Sequence, residues 1–381
     1  MNWKKVALGC SISSAVLVVI IAVGGYFAFR HFRKFIPGRM EIPKNLIDAS
    51  VLTGSDLLSK KTFFEDSRLG KITDIELGEL DPSPGQEIGI AGSRGAAFLD
   101  EEARLKSTIM FSGETDDVNI IEINADGVCE FLNRGSWGVS ASLMDHKGNV
   151  IWTYSDETGV DDMDSGDMDG DGTMEFVVGF NGGGGVHLVD INGKKKWSES
   201  DGNVWHVEFV DTNGDGILEI VHSNAGGQMT IRDQNGKVVR RTHPGPYFSH
   251  FSLCKWPTQK DHEYALLAEN DTIWIFDFDG KTVAQFTAPK CGTLGHARGT
   301  PVKLMADQPE YFATLVEFRH WNRAILYVHD RDGKLMYQEI LPETCASIAA
   351  LSLSDSKTDT LLVGGDGKVW QYKAGNNSDK H

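Results

Sequence analysis

Residues 165–179 read Ser165-Gly-Asp-Met-Asp-Gly-Asp-Gly-Thr-Met-Glu-Phe-Val-Val-Gly179, and a second copy reads Val207-Glu-Phe-Val-Asp-Thr-Asn-Gly-Asp-Gly-Ile-Leu-Glu-Ile-Val221. In each, an acidic, glycine-punctuated loop separates two short apolar runs. Downstream, hairpins follow around Asp190-Ile-Asn-Gly193 and Asp233-Gln-Asn-Gly236. Asn-Gly supplies the positive φ angles that a tight hairpin needs. One unit therefore reads strand, acidic loop, strand, Gly-rich turn, strand, Asx-Gly turn, strand.

Outward from these two copies, the acid that closes the loop recurs as Glu87, Glu130, Glu175, Glu219, Glu263, Glu310 and Asp359, at steps of 43 to 49 residues. The Asx-Gly turn recurs at Asp145–Gly148, Asp277–Gly280, Asp330–Gly333 and Asp366–Gly367. Seven units of four short strands, with no helical pattern, predict an all-β, seven-bladed β-propeller over residues 61–374. The last unit ends at Val369–Lys373 without an outer strand. Lys61–Asp66 resembles the outer strands elsewhere, such as Lys195–Glu199, and is expected to pair onto the final blade and close the ring.

In a loop of nine positions, a cation needs oxygen ligands at 1, 3, 5 and 9, a backbone carbonyl at 7, and Gly at 6 for the sharp turn. Calcium accepts such oxygen-rich cages, magnesium prefers tighter octahedra, and zinc prefers nitrogen or sulfur. Unit three supplies Asp167, Asp169, Asp171 and Glu175, and unit four Asp211, Asn213, Asp215 and Glu219. Unit two offers Glu122, Asn124, Asp126 and Glu130, with a longer first side chain. Unit one has Glu79, Asp81, Ser83 and Glu87, but Pro84 replaces the glycine; units five to seven have lost the ligands. Plain acidic hairpin turns are the alternative reading. An EF-hand is not, because its loop closes at position twelve between helices.

These units resemble the FG-GAP/VCBS repeats of integrin α-chains and of many secreted bacterial proteins, strongly in units three and four and weakly in the last three. The resemblance implies a calcium-bearing propeller and, in many relatives, adhesion or scaffolding.

Five residues before loop position 1 stand Asp74, Asp117, Asp162, His206 and His250, and unit six brings His296 close to the same level. In a propeller these positions meet at one mouth of the central channel, as a polar funnel for a metal or ligand or for acid–base chemistry. Polar residues are also what any solvated channel mouth carries. His146 and His329, beside hairpin turns, are expected in solvent, and the recurring Trp152, Trp197, Trp274 and Trp370 in packing. Arg298 and Arg319–Trp321 fall in the longer sixth unit.

Val6–Phe29 holds no charged residue, long enough at about 1.5 Å per residue to span a hydrocarbon core of about 30 Å. It predicts a single transmembrane helix within residues 1–29, a stalk over 30–60 and a disordered tail over 375–381. A cleavable signal peptide shares the Lys4-Lys5 start and apolar run. Basic residues flank both ends of the segment; counted alone they place the propeller in the cytoplasm. Calcium loops favour the extracytoplasmic side, where calcium is abundant. Five scattered cysteines specify no disulfide framework. A net charge of -17 excludes nucleic acid, which needs clustered Lys and Arg. No nucleophile or phosphate motif is recognisable. The expected function is therefore a membrane-anchored, non-catalytic binding or scaffold module with a protein or glycan ligand. The alternative is a polysaccharide lyase or hydrolase working at the channel mouth.

Overall fold

The computed structural model describes residues 56–375, apart from 82–84, 113–114, 125, 135–137, 139, 225, 246–247, 249, 258, 270, 289–295, 319–321 and 354–355. The expected membrane segment, most of the stalk, the tail from residue 376, Cys10, Cys291 and Arg319–Trp321 lie outside the described residues. Among the described residues no helix is long and apolar enough to cross a membrane.

Seven four-stranded antiparallel sheets form the blades of a ring. Blade three is typical: strands Val160–Gly166, Glu175–Phe180, Gly185–Val189 and Lys195–Glu199 follow one another from the channel outward. The second and third are buried throughout, while the outer strand is largely exposed. Successive residues of the buried strands point to opposite neighbours, as the pleat requires. Val178 packs toward blade two and Val177 toward blade four. One apolar cluster fills each gap between adjacent blades, seven in all among the described residues. The core is thus circular, and each blade is stable only between two others.

Blades are also tied at their outer edge. Trp152 of blade two donates Nε1–H to Ile191 O at 2.9 Å, and Trp197 of blade three donates to Gln234 O at 2.9 Å, each on the Asx-Gly turn of the next blade. Those turns hold Gly193 at φ 76° and Gly236 at φ 79°, and a Cβ on Gly193 would stand 3.0 Å from the Trp152 ring. The aspartates that open the turns are spent on them: Asp190 Oδ1 accepts from the amides of Asn192 and Lys194, and Asp145, Asp233, Asp277 and Asp330 repeat the pattern. That share of the negative charge serves backbone donors and not cations.

Ring closure follows the expected pairing. Leu58–Glu65 runs antiparallel to Lys368–Ala374 and supplies the outer strand of blade seven, starting three residues earlier than the sequence pattern suggested. Lys60 Nζ lies 4.4 Å from the Trp370 ring centre and 2.7 Å from Glu339 Oε1 in blade six. Glu339 Oε2 accepts from Tyr337 Oη at 2.8 Å and Tyr372 Oη at 3.0 Å.

Antiparallel order gives the ring two distinct faces. Each innermost strand runs from one face, carrying the channel mouth, to the other, carrying the acidic loops and Asx-Gly turns. The first strand of the chain begins, and its last strand ends, on the loop face.

One histidine departs from expectation. His329 is not in solvent but fully buried, stacked on Phe286 at 4.7 Å. It ends the third strand of blade six, Arg323–His329, whose last six residues are all buried. Burial pulls its pKa down to about 4, so the ring is neutral in the core.

Candidate functional site

The acidic loops share one backbone frame. Asp167 Oδ2 accepts from the Gly172 amide at 2.9 Å, Asp211 Oδ2 from Gly216 at 2.8 Å, and Glu122 Oε1 from Gly127 at 2.7 Å. The longer Glu122 therefore reaches the same amide as the shorter aspartates. Position five repeats too: Asp171, Asp215 and Asp126 each accept from the amide two residues on. The closing glutamates turn one oxygen inward, onto the amide of position two, in all four blades: Leu80, Ile123, Met168 and Thr212, at 2.9 to 3.4 Å.

The other oxygen of each closing glutamate distinguishes the blades. In blade three, donor atoms of Asp167, Asp169 and Glu175 lie within 4.8 Å of one another, a hard-oxygen set that suits calcium. Lys196, second residue of the outer strand, places Nζ 2.7 Å from Glu175 Oε1 and 3.5 Å from Asp169 Oδ2. In blade one the equivalent Lys106 bonds Glu87 Oε1 and stands 3.0 Å from Asp81 Oδ2. Blades two and four carry Ile151 and Val239 there, both exposed. Glu130 of blade two is pushed up to about 7, first by burial and then by Asp126 and Glu122. No local sequence signal ties these lysines to the loops, because they lie on the fourth strand, 19 and 21 residues from the glutamates they bond.

At the opposite face, a bulge in the innermost strand precedes Asp74, Asp162 and His206 at the same place in blades one, three and four. The extra residue (Thr73, Asp161 or Trp205) re-aims the next side chain into the channel. Asp117 stands at the matching level: its carbonyl accepts from the Arg134 amide at 2.9 Å. Blade six has no bulge, so His296 sits beyond the matching rung, with Arg298 on the same side of the strand.

A cavity of about 90 Å³ gathers Asp117, Asp162, His206, His250 and His296 at the mouth, together with Arg298. Asp74 is not part of that lining. Its carboxylate accepts from the amides of Ile75 and Ile120 at 3.0 and 2.8 Å. Burial, then the charge of Glu76, pushes it up to about 8.

Asp162 is the hub. Arg134 donates to its two oxygens at 2.8 and 2.9 Å, and His206 Nδ1 is 2.5 Å away. Burial opposes the Asp162 charge, but Arg134 and then His206 outweigh it and hold the carboxyl well below the usual range. Burial likewise opposes a charged His206, yet Asp162, followed by Glu208, pushes its pKa up to about 9. His206 Nε2 is buried 3.2 Å from Glu208 Oε1 without the alignment of a hydrogen bond. His250 stacks on His296 at 4.4 Å between ring centres and lies 5.7 Å from His206. From blade six, Arg298 reaches Asp117 Oδ2 at 3.5 Å and donates to Ala346 O. No repeat position in the sequence marks Arg134, Glu208 or the inward aim of Arg298. Arg134 directly follows the second strand of blade two, Glu130–Asn133, off every position that the repeat marks.

The sequence profile of a family described as FG-GAP-like repeat matches residues 167–222, from the loop of blade three into the second strand of blade four. No curated protein matches the chain. Among solved structures, BBS1N in a crystal with ARL6DN, soaked with mercury, is similar at TM-score 0.57 and 12% identity, covering 84% of this chain and 98% of that one. The Pan2 WD40 domain of Neurospora crassa is similar at TM-score 0.50 and 11% identity, covering 85% and 97%. At such identities the likeness speaks for the fold alone.

Proposed function

We propose that this chain is a membrane-anchored, calcium-stabilised propeller that presents a face to a protein or glycan ligand as a non-catalytic binding or scaffold module. The observation that carries the calcium reading is the hydrogen-bond frame repeated in the loops of blades two, three and four. In blade three the frame accompanies carboxylate oxygens of Asp167, Asp169 and Glu175 that lie within 4.8 Å of one another. If each loop binds at about 0.1 mM in a medium of about 1 mM calcium, each adds roughly 1.4 kcal/mol, and three add about 4 kcal/mol.

The anchor is Val6–Phe29, with the propeller on the extracytoplasmic side, where such affinities are useful. Because the first strand starts on the loop face, a tether entering there turns the channel mouth away from the bilayer. The mouth face is then the one open to partners. A similar propeller, BBS1N, was crystallised in complex with ARL6DN, which makes a protein partner a natural candidate.

Thermal unfolding of the full-length protein in EDTA, followed by calcium return, tests the calcium part. A midpoint that rises with calcium and not with magnesium is expected; no shift sinks it. A second reading, a polysaccharide lyase or hydrolase, draws on the Asp162–His206 pair at the mouth. It requires that H206A/H250A abolish depolymerisation of a polysaccharide without lowering the melting temperature.

A further inference from the structure

We propose that the outer joint between blades one and two is a socket for a tryptophan side chain of a partner polypeptide, carried among acidic residues. The socket opens by the Asx-Gly turn of blade two, on the face opposite the channel mouth.

The molecule itself shows what fits there. On the outer strands of blades two and three, Trp152 and Trp197 hold the first rung after the bulge, opposite Leu143 and Leu188. Each donates Nε1–H to the carbonyl of the second turn residue in the next blade, Ile191 or Gln234, at 2.9 Å. In blade one the same rung, opposite Phe98, carries Ser107, whose side chain is too short to cross the joint. The matching acceptor is the carbonyl of His146, second residue of the blade-two turn. Among the described residues no hydrogen bond ends on it. The turn glycines tell the same story. A Cβ on Gly193 or Gly236 would meet a tryptophan ring at 3.0 or 3.1 Å, whereas one on Gly148 would meet Phe111 and Ile109 at 3.1 and 3.3 Å.

In place of the ring, the joint holds a cavity of about 760 Å³, within the range of about 300–1,000 Å³ typical of binding pockets. Leu80 and Phe98 give it a buried apolar floor. Met110, 45% exposed, lines it with a flexible thioether suited to an aromatic face. Joints without a tryptophan elsewhere are closed by other means. Arg240 holds the same rung in blade four and pairs with Asp279 on the next turn. Blade five has the small Ala284 there, but the buried Phe286, two positions on, lies 3.1 Å from where a Cβ on the turn glycine Gly333 would stand.

Charge specifies the neighbours of the incoming ring. The third turn residue is Asn192, Asn235, Asp279 or Asp332 in blades three to six, but Lys147 in blade two. Lys147 is exposed and lines the cavity, so it complements an acidic residue beside the tryptophan. Asp81, also in the lining, is already paired with Lys106 at 3.0 Å.

The test is titration of the full-length protein, in calcium-containing buffer, into a fluorescein-labelled synthetic peptide of Gly and Ser around a central Asp-Trp-Asp. Saturable binding is expected below about 1 mM, within reach of a single aromatic anchor. The Asp-Ala-Asp peptide is expected to bind more than about tenfold more weakly. Ser107→Trp supplies the ring from within the chain, so it is expected to abolish binding and to raise the melting temperature. Lys147→Glu is expected to weaken binding about three- to fivefold. His250→Ala, at the channel mouth, is expected to leave it unchanged. Should Ser107→Trp fail to fold, the loss in Lys147→Glu must still appear. Equal binding of the two peptides, unaltered binding by folded Ser107→Trp, or no saturable binding by wild type overturns the proposal. N-acetyltryptophanamide binding as tightly as the peptide overturns the polypeptide as occupant. The calcium-dependent melting shift is read separately, so either reading can fail alone.

Discussion

Lys196 shows how one residue can alter the meaning of a motif. Its ammonium already neutralises Glu175 and Asp169, so calcium entering the loop of blade three must displace it. Lys196→Met is expected to tighten calcium binding by that loop about three- to fivefold, the equivalent of up to about 1 kcal/mol for a partly exposed pair. Titration calorimetry reads the change, and an unaltered affinity would show that the lysine stands aside at no cost. Asp74 makes a second residue-scale case. The folded protein holds its proton up to about pH 8, whereas the unfolded chain releases it near pH 4. The folded state then binds more protons across that window, so the contribution of Asp74 to stability falls as pH rises from about 4 to about 8. The carboxyl is walled by protein yet only half-buried from channel water, which reduces the full ~1.4 kcal/mol per pH unit. Asp74→Asn is expected to gain about 1–2 kcal/mol at pH 8 and nearly nothing at pH 4, measured by urea unfolding at both values.

At the scale of the element, the outer-edge staple invites a direct trial. Gly193→Ala forces a β-carbon onto a positive φ and against the Trp152 ring, so a loss of about 1–3 kcal/mol is expected. Gly202→Ala, also at positive φ but with open space around it, should cost less. Comparing the two melting temperatures separates the staple from backbone strain, and equal losses would remove the staple. The same elements show what sequence alone can reveal. Blades, turns and the closing strand were legible because Asx-Gly turns and acidic loops are local chemistry repeated at a fixed step. The channel register of blade six was not, since its innermost strand lacks the bulge that sets the level in blades one, three and four. Burial of His329 was hidden for a related reason: nearness to a turn says nothing about which side of the strand a residue faces. Lys106, Lys196 and Arg134 needed three dimensions, as each acts on a partner 19 to 28 residues away.

For the whole molecule, a circular core has no end at which fraying can start harmlessly, so the polar node around Glu339 matters beyond its size. It receives Lys60 from the closing strand and two tyrosine hydroxyls. Glu339→Leu leaves the Tyr372 hydroxyl and the Lys60 ammonium without their acceptor, and a loss of about 2–4 kcal/mol is expected. Limited proteolysis should then release the segment around Leu58–Glu65 first; cleavage that begins elsewhere would show that blade seven is not the weakest joint.

The closing strand also has a mechanical consequence. Leu58–Glu65 runs from the loop face toward the mouth face, alongside Lys368–Ala374. Traction applied at the N-terminal end of the propeller, against a partner gripping the mouth face, therefore acts along the strand and not across it. Such a pull shears seven paired positions together instead of unzipping them one at a time. The ring is fastened where a tethered protein under tension would be loaded, and in the direction in which a β-ladder resists best.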